Sequence, residues 1–335
     1  MTNTASKDTL AAKEPKEYLN LLIMTIGPLV IGWFYYGFRA PALAAVCAAT
    51  AASCDFAGSL IIKSRKSSYD FGALFTGIAI ALMLPASFSF VQAAIGSAFA
   101  IIVCKLPFGS SNNSPFLPAA AGFAFLCLCW PDEVFNYPQI VARWDFLPKD
   151  TAFMPGVSLA AMLKHGNAPA MMPLTALNVF IGNVPGPMGT GSVLVLAAAS
   201  FYYVFTRPAT LLKSLGMLFT AAVFALIFPR IQAGAFPRVL FELCSGSLVF
   251  ASLFLLSDSS IQNQNSLALF LYGALAGLIT MVLRHVGVFE EGVCFGVLLT
   301  SAFWPLFEKL FSTALKQTSK IVKKASSQQG GEANA

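Results

Sequence analysis

Charge is what this sequence has least of. Asp, Glu, Lys and Arg make up 11% of its 335 residues, against roughly a quarter in soluble domains. That scarcity excludes an ordinary water-soluble globule. Histidine is scarcer still, with two in the whole chain, which leaves nothing for a His-based metal centre. The seven cysteines form no ligand set. Cys127 and Cys129 are the nearest pair, and no further His or Cys accompanies them, so an Fe–S cluster or zinc site lacks its ligands. The cysteines read as small apolar packing residues. There is no Gly-rich dinucleotide fingerprint, no catalytic constellation and no metal site. The net charge of +6 does not point to nucleic acid, because the basic residues sit at the ends of apolar runs or in the tail. Residues 1–17 are polar and the first apolar run is too long for a secretory h-region, so a cleavable leader is not expected.

What is there is apolar sequence: 57% hydrophobic residues, 31 phenylalanines and a mean hydropathy of +0.72. A spanning helix needs about 20 apolar residues, sometimes about 17. Ten segments meet or approach that length: 18–38, 41–62, 71–86, 88–106, 116–131, 174–205, 213–229, 238–256, 267–283 and 289–308. The expected fold is an all-α polytopic membrane protein lying in the lipid bilayer, with about ten transmembrane helices. The sixth segment is interrupted by prolines and glycines in "IGNVPGPMGTGS". It cannot be one regular helix, and broken backbone at membrane depth is tolerated where protein or a cavity satisfies it. Residues 182–192 are therefore an expected site wall, with Gly182, Asn183, Gly186 and Gly189 as a backbone cradle.

Lys and Arg orient the chain. With both termini cytoplasmic, 14 of the 21 cations fall on inside segments and seven on outside segments. The expected organisation is a polar cytoplasmic N-terminus (1–17), a five-helix half (18–131), an extracytoplasmic loop (132–173), a second five-helix half (174–309) and a basic cytoplasmic tail (310–335). Five spans per half implies opposite topologies, and "GFAFLCL" at 122–128 echoes "GVCFGVL" at 292–298. This suggests a 5+5 inverted repeat with broken helices.

Among the few ionisable residues, Asp55 lies inside an apolar run, where an acid costs about 2.5–3.5 kcal/mol on insertion scales, so it is paired or functional. Lys105 and Arg284 end their spans and are expected to snorkel. Glu242, Asp258, Glu290 and Glu291 lie near span ends, where interfacial solvation is the cheaper reading. Asp55 and Glu291 are the ion-pathway candidates. His165 reads as solvated, and Ser158 as a hydroxyl that bonds turn backbone. These observations fit a redox subunit, and equally a channel or secondary transporter.

Three stretches carry a resemblance. "DFGALFTGIAIALMLPAS" (70–87), followed by "FGSSNNSPFLPAAAGFAF" (108–125), is similar to D-G-x-A-L-L-T-G-x-x-x-A-L-x-L-P-P and the F-G-G…N-P-A block after it. "FIGNVPGPMGTGSVLVLAAASFYY" (180–203) is similar to F-x-G-N-x-x-G-S-x-G-E-T-S-x-L-A. "LYGALAGLITMVLRHVGVFEEGVCFGVLLTSAFWPLFEK" (271–309) is similar to a block with I-R-x-x-G-x-x-x-E-G-V-x-F at the same spacing as Arg284 and Glu291. Together they resemble the RnfD/NqrB family, the integral flavin-carrying subunits of ion-motive redox translocases, over residues 18 to 309. RnfD is the nearer likeness.

That resemblance implies a flavoprotein of electron transport, seated in the cell membrane with other membrane and peripheral subunits of an Rnf-like complex. It implies movement of Na+ or H+ coupled to electron transfer. In RnfD-type subunits FMN is a phosphoester on the Thr or Ser of S-G-A-T. "PGVS" stands in that place here, so Gly156 matches the Gly and Ser158 the attachment residue, with a flavin transferase as a further partner. A second, non-covalent flavin is also admitted. The chain departs from the pattern at Pro155, Val157, Thr190 and Gly191. The expected setting of Ser158 is an exposed loop, with Gly156 leaving room for the transferase.

Overall fold

The computed structural model describes residues 2–61, 71–108, 116–140, 155–165, 176–206, 208–231, 234–258 and 266–307. The tail at 310–335 and most of the 259–266 loop lie outside the described residues, as do the side chains of 1–17. The protein is an all-α membrane protein. Among the described residues five helices are long and apolar enough to span a bilayer: Tyr18–Tyr36 of α1 (Thr2–Tyr36), α2 (Arg39–Ile61), α4 (Phe90–Phe99 with its extension to Phe108), α10 (Pro208–Ile227) and α13 (Ser266–Val286). A sixth is a bent pair, α11 (Ala235–Cys244) and α12 (Leu248–Phe250, continuing to Leu255), kinked by 69°. Shorter apolar helices complete the set: α3 (Phe71–Met83), α5 (Pro118–Cys129), α9 (Val193–Thr206) and α14 (Val293–Phe307). All ten apolar segments of the sequence fall on these helices.

Apolar side chains cover the outside of the bundle as well as its core. Phe201, Phe205, Phe219 and Ile227 are each more than 60% exposed. In water such a surface would aggregate, whereas in a bilayer lipid covers it. With no hydrophobic force to join helices inside lipid, close contact comes from small residues. A Cβ on Gly277 would strike the Met217 carbonyl of α10, and one on Gly77 of α3 would strike the Cys47 carbonyl of α2.

Among the described residues between the spans lie α6 (Pro131–Val134), α7 (Leu159–Lys164), α8 (Ala176–Ile181) and a two-residue antiparallel ladder. In the ladder Tyr137 of β1 (Tyr137–Pro138) pairs with Gly156 of β2 (Pro155–Gly156).

Two spans end in the same irregular way. α4 opens into a π turn (Ala100–Lys105) and closes with a 3-10 turn (Leu106–Phe108). α12 does so at Ala251–Leu255 and Leu256–Asp258. A π turn disturbs the i→i−4 ladder and leaves carbonyls to be satisfied from elsewhere. At the second, Ser214 Oγ of α10 donates to the Ser252 carbonyl at 2.6 Å and Lys213 Nζ to the Leu256 carbonyl at 3.3 Å.

Candidate functional site

Ser158 is not on an exposed loop. It is 5% exposed and caps the N-terminus of α7, its Oγ accepting from the Ala161 amide at 3.0 Å. Sequence suggests a free turn because α7 has only six residues. Its apolar face, Leu159 and Leu163, packs with Val179, Val184, Ile231 and Phe241 in a small separate core. The Ser158 hydroxyl donates to Glu290 Oε2 at 2.8 Å. Lys164, at the other end of α7, donates to the Val288 carbonyl. The loop after α13 is thus tied to both ends of α7. Gly156 does not provide room either, since a Cβ there would meet the Pro185 ring at 2.7 Å. His165 is exposed, as expected.

The break between α8 and α9 lies where the prolines and glycines place it, and its backbone is satisfied by the first half of the chain. Tyr36 Oη donates to the Gly186 carbonyl at 3.0 Å and Tyr35 Oη to the Ile181 carbonyl at 3.2 Å. The Met188 and Gly189 amides donate to the Leu84 and Leu82 carbonyls at 3.1 and 2.9 Å, where α3 ends. Gly182 has φ +90° and lies against the Gly191 backbone, a conformation and a proximity that exclude a side chain. Gly189 has no space for a Cβ beside Leu82. Gly186 is different: only the Val184 carbonyl, at 3.8 Å, comes near its missing Cβ.

That open side of Gly186 is the wall of a small cleft, about 20 Å3 in volume and partly open to solvent. Ser158, Gly186, Thr190, Gly191, Gly246 and Glu291 line it. Of the expected cradle, Gly186 faces the cleft, and Gly182 and Gly189 shape it by packing, as does Gly156 of the attachment motif. Asn183 is exposed and takes no part in the lining.

The far wall is a second break, at Ser245–Ser247 between α11 and α12, which the apolar pattern reads as one continuous helix. The Ser-Gly-Ser tripeptide is the available signal. Gly246 has φ +60°, and a Cβ on it would collide with the Glu291 carboxylate. Ser247 Oγ donates to Glu291 Oε2 at 2.6 Å. Arg284 does not snorkel: it is 1% exposed, donating to Ser245 Oγ and to the Ser245 carbonyl, each at 2.9 Å. Its guanidinium supplies donors to a bend that has lost its helical ones. Arg39 does the same on the other half, its Nε donating to the Ala86 carbonyl at 2.7 Å where α3 ends.

The acids near span ends are not solvated at the interface. Glu291 is 2% exposed, and Glu242, 4% exposed, pairs with Arg230. Glu290 is half-buried, and burial raises its carboxyl above the ordinary value, while the Ser158 hydroxyl pulls it back. Asp258 has no described side chain. The two ion-pathway candidates are far apart. Glu291 is in the cleft, whereas Asp55 lies 16 residues along α2 from Arg39, about 24 Å at 1.5 Å per residue. Asp55 pairs with Lys105 at 3.2 Å, and Lys105 is 0% exposed, so it does not snorkel either. No cluster of His, Cys, Asp and Glu among the described residues could hold a metal ion.

Sequence reasoning misses Glu290 as the partner of Ser158, Gly246 as a cleft residue and Arg39 as a buried support; Thr190 falls within the expected 182–192 wall. Glu290 has one available signal, its place beside Glu291 in the third block.

The chain is similar along most of its length to known proteins. One is a component of the Na(+)-translocating ferredoxin:NAD(+) oxidoreductase complex of Acetobacterium woodii, 26% identical over 306 residues, covering 91% of this chain and 92% of that one. Another is a component of the Na(+)-translocating NADH-quinone reductase of Neisseria meningitidis serogroup B, 27% identical over 265 residues, covering 76% and 63%. The corresponding Pseudomonas aeruginosa reductase component is 26% identical over 260 residues, covering 74% and 62%. The chain thus spans somewhat under two thirds of the length of these quinone-reductase relatives. The NQR2, RnfD, RnfE family profile matches residues 11–316, and the chain belongs to that family.

Proposed function

We propose that this chain is a membrane subunit of an ion-motive electron-transport complex of the RnfD kind, and that it carries FMN through a phosphoester on Ser158. Complex membership is supported by the relatives, which are subunits of Na(+)-translocating oxidoreductases. Other subunits are then its partners, and movement of Na+ or H+ is coupled to electron transfer through the assembly. It resides in the cell membrane with both termini inside.

The observation that carries the flavin reading is the setting of Ser158. Its hydroxyl opens on a small, partly open cleft that it shares with Gly186, Thr190 and Glu291. Two buried polar atoms of residues lining that cleft, Thr190 Oγ1 and Glu291 Oε1, have no hydrogen-bond partner among the described residues. Unsatisfied buried groups are costly, and a polar ligand relieves them. The polar end of the group therefore finds partners here, while the ring needs space that the cleft does not enclose.

When bound, a flavin supplies exchange of one or two electrons, linking pair donors to one-electron carriers; the protein contributes position and electrostatics. Ser158 holds the phosphoryl end. Once esterified, it would no longer donate to Glu290, whose carboxylate would then have Lys164 as its nearby cation. Gly186 and Gly191 leave the wall open beside it. The buried Arg284 fixes the Ser245–Ser247 bend and so the position of Glu291.

The test is the chain produced with a flavin transferase, run on a denaturing gel and weighed intact. The wild type is expected to fluoresce and to carry the added mass, and Ser158→Ala to be dark. A dark wild type, or a fluorescent Ser158→Ala band, overturns the attachment. A dark wild type that binds no flavin at all favours a transporter-like relative without a cofactor.

A further inference from the structure

We infer that the Ser158–Glu290 hydrogen bond is a charge-sensitive latch on α7: the helix stays docked while Ser158 carries a neutral hydroxyl and lifts once Ser158 carries an anion. The inference rests on the flavin reading for the identity of that anion, a phosphodiester; the latch itself rests on contacts within the protein.

Ser158 is held from both sides. Its Oγ accepts from the Ala161 amide at 3.0 Å and donates to Glu290 Oε2 at 2.8 Å. The second bond needs the serine proton, because an ionised carboxylate accepts and does not donate. Glu291 also bears on Glu290, and the cations that face these acids are Lys164, His165 and Arg284. With His165 neutral, two acids meet two cations and the charge is even. A phosphodiester on Ser158 removes the donated proton and sets a further negative charge against the half-buried Glu290. Neither cation is loose enough to follow it. Arg284 is held by Ser245, and Lys164 is tied to the Val288 carbonyl.

Space excludes the same group. Ser158 is 5% exposed. The adjoining cleft, about 20 Å3, has room for about one water-sized oxygen, which is less than a phosphoryl group with the chain it carries. For that group to reach the polar atoms of the cleft, something has to move. The cleft walls belong to the bundle, whereas α7 has six residues, too few to hold a helix alone. Its docking comes from Leu159 and Leu163 against a small core, with Lys164 at the far end. α7 is therefore the part that gives way.

Attachment is a substitution at phosphorus. The Ser158 oxygen bonds to a phosphorus of a flavin dinucleotide, a nucleoside monophosphate leaves from it, and the hydroxyl proton passes to water; no electron moves. The docked helix shields the hydroxyl before that step and is excluded after it.

The test uses the full chain in detergent, with the seven native cysteines replaced and Ala160→Cys as the reporter. Ala160 is 3% exposed within α7, so a maleimide reaches it when the helix lifts. Ser158→Asn and Ser158→Asp share a shape, and both residues cap a helix as well as serine does; they differ in charge. At alkaline pH, where carboxylates are ionised, Ser158→Asp is expected to react about tenfold or more faster than Ser158→Asn, the scale on which like charges shift a local opening. Adding Glu290→Gln to Ser158→Asp is expected to restore the slow rate. Ala276→Cys, fully buried in α13, is expected to stay slow throughout, showing that the bundle is intact. In transferase-labelled chain, the fluorescent fraction is expected to react at Ala160→Cys about tenfold or more faster than the unlabelled fraction.

Equal rates for the Asp and Asn variants overturn the latch, as does opening at Ala276→Cys together with Ala160→Cys. So does a labelled chain that reacts as slowly as the unlabelled one. A chain that the transferase leaves dark removes the flavin from Ser158, while the Asp and Asn rates still decide the latch. A fluorescent chain with equal Asp and Asn rates keeps the attachment and removes the latch.

Discussion

Ser158 Oγ accepts from the Ala161 amide and donates to the Glu290 carboxylate at the same time, and on the reading proposed here a phosphoryl group would replace the donated proton. The two bonds hold it 5% exposed. A transferase therefore meets Ser158 only when α7 is lifted from its small apolar core or before it has docked there. Glu290 is the residue to watch. Burial raises its carboxyl above the ordinary 4.5, the Ser158 hydroxyl lowers it, Glu291 adds to the rise, and Lys164 and His165 lower it. The folded chain therefore binds this proton more tightly than the unfolded chain. Below the unfolded value both states are protonated and nothing is lost. As pH climbs above about 4.5 the unfolded chain releases the proton first, and stability falls until the folded carboxyl has also ionised, where the full cost is present. Thermal unfolding in detergent across this range is expected to show a declining midpoint in wild type and a shallower decline in Glu290→Gln. Parallel curves would mean that Glu290 contributes nothing to the pH dependence.

At the scale of elements, the irregular backbone is held by cations and tyrosines placed opposite each break. Arg39 meets the end of α3, Arg284 the α11–α12 bend and Tyr36 the α8–α9 break. On α4 the π turn ends in Lys105, paired with Asp55 of α2. Taking two charges out of water is expensive, and breaking such a pair leaves one of them unpaired. Lys105→Met or Asp55→Leu alone is expected to cost about 3–5 kcal/mol, while the double change returns close to wild-type stability. Chemical denaturation in detergent measures both. Assay of ion transport by the reconstituted complex then separates two roles for Asp55. A stable, transporting double variant makes the pair a helix clasp, and a stable, silent one keeps Asp55 on the ion route.

These elements also mark how far the sequence can be read. The positions of the apolar helices, the α8–α9 break and the membrane setting are legible because they follow from local composition: long apolar runs, and prolines that cannot continue a helix. The α11–α12 bend is not, because Ser-Gly-Ser is compatible with a continuous apolar helix until Arg284, 39 residues from Ser245, arrives to bond its freed carbonyl. Burial of Arg284, Lys105 and Glu291 escapes notice for the same reason. A charge at a span end looks solvated unless its partner, contributed by another helix, is known. Ser158 stands out by its motif, but its capping role and its bond to Glu290 depend on a contact across 132 residues.

At the scale of the whole molecule, the two ends of the bundle differ in what they hold. Arg39, Tyr36, Gly186, Ser158, Glu291 and Arg284 gather at one end, linked directly or through the cleft they surround. Asp55 and Lys105 lie at the other end of α2. On the orientation proposed above, with both termini cytoplasmic, the cleft end faces outside. Arg39 and Arg284 on that face, and Lys105 and Lys213 on the opposite one, are deeply buried and engaged with protein. Setting them aside leaves twelve cations against five, still favouring cytoplasmic termini. Val157 offers a direct probe, being 54% exposed and adjacent to Ser158. In a background with the seven native cysteines replaced, Val157→Cys is expected to react with a membrane-impermeant maleimide added to intact cells, and a cysteine placed in the 310–335 tail only after the cells are opened. The reverse pattern would put the cleft in the cytoplasm, and with it the transferase and electron partners that Ser158 would have to meet.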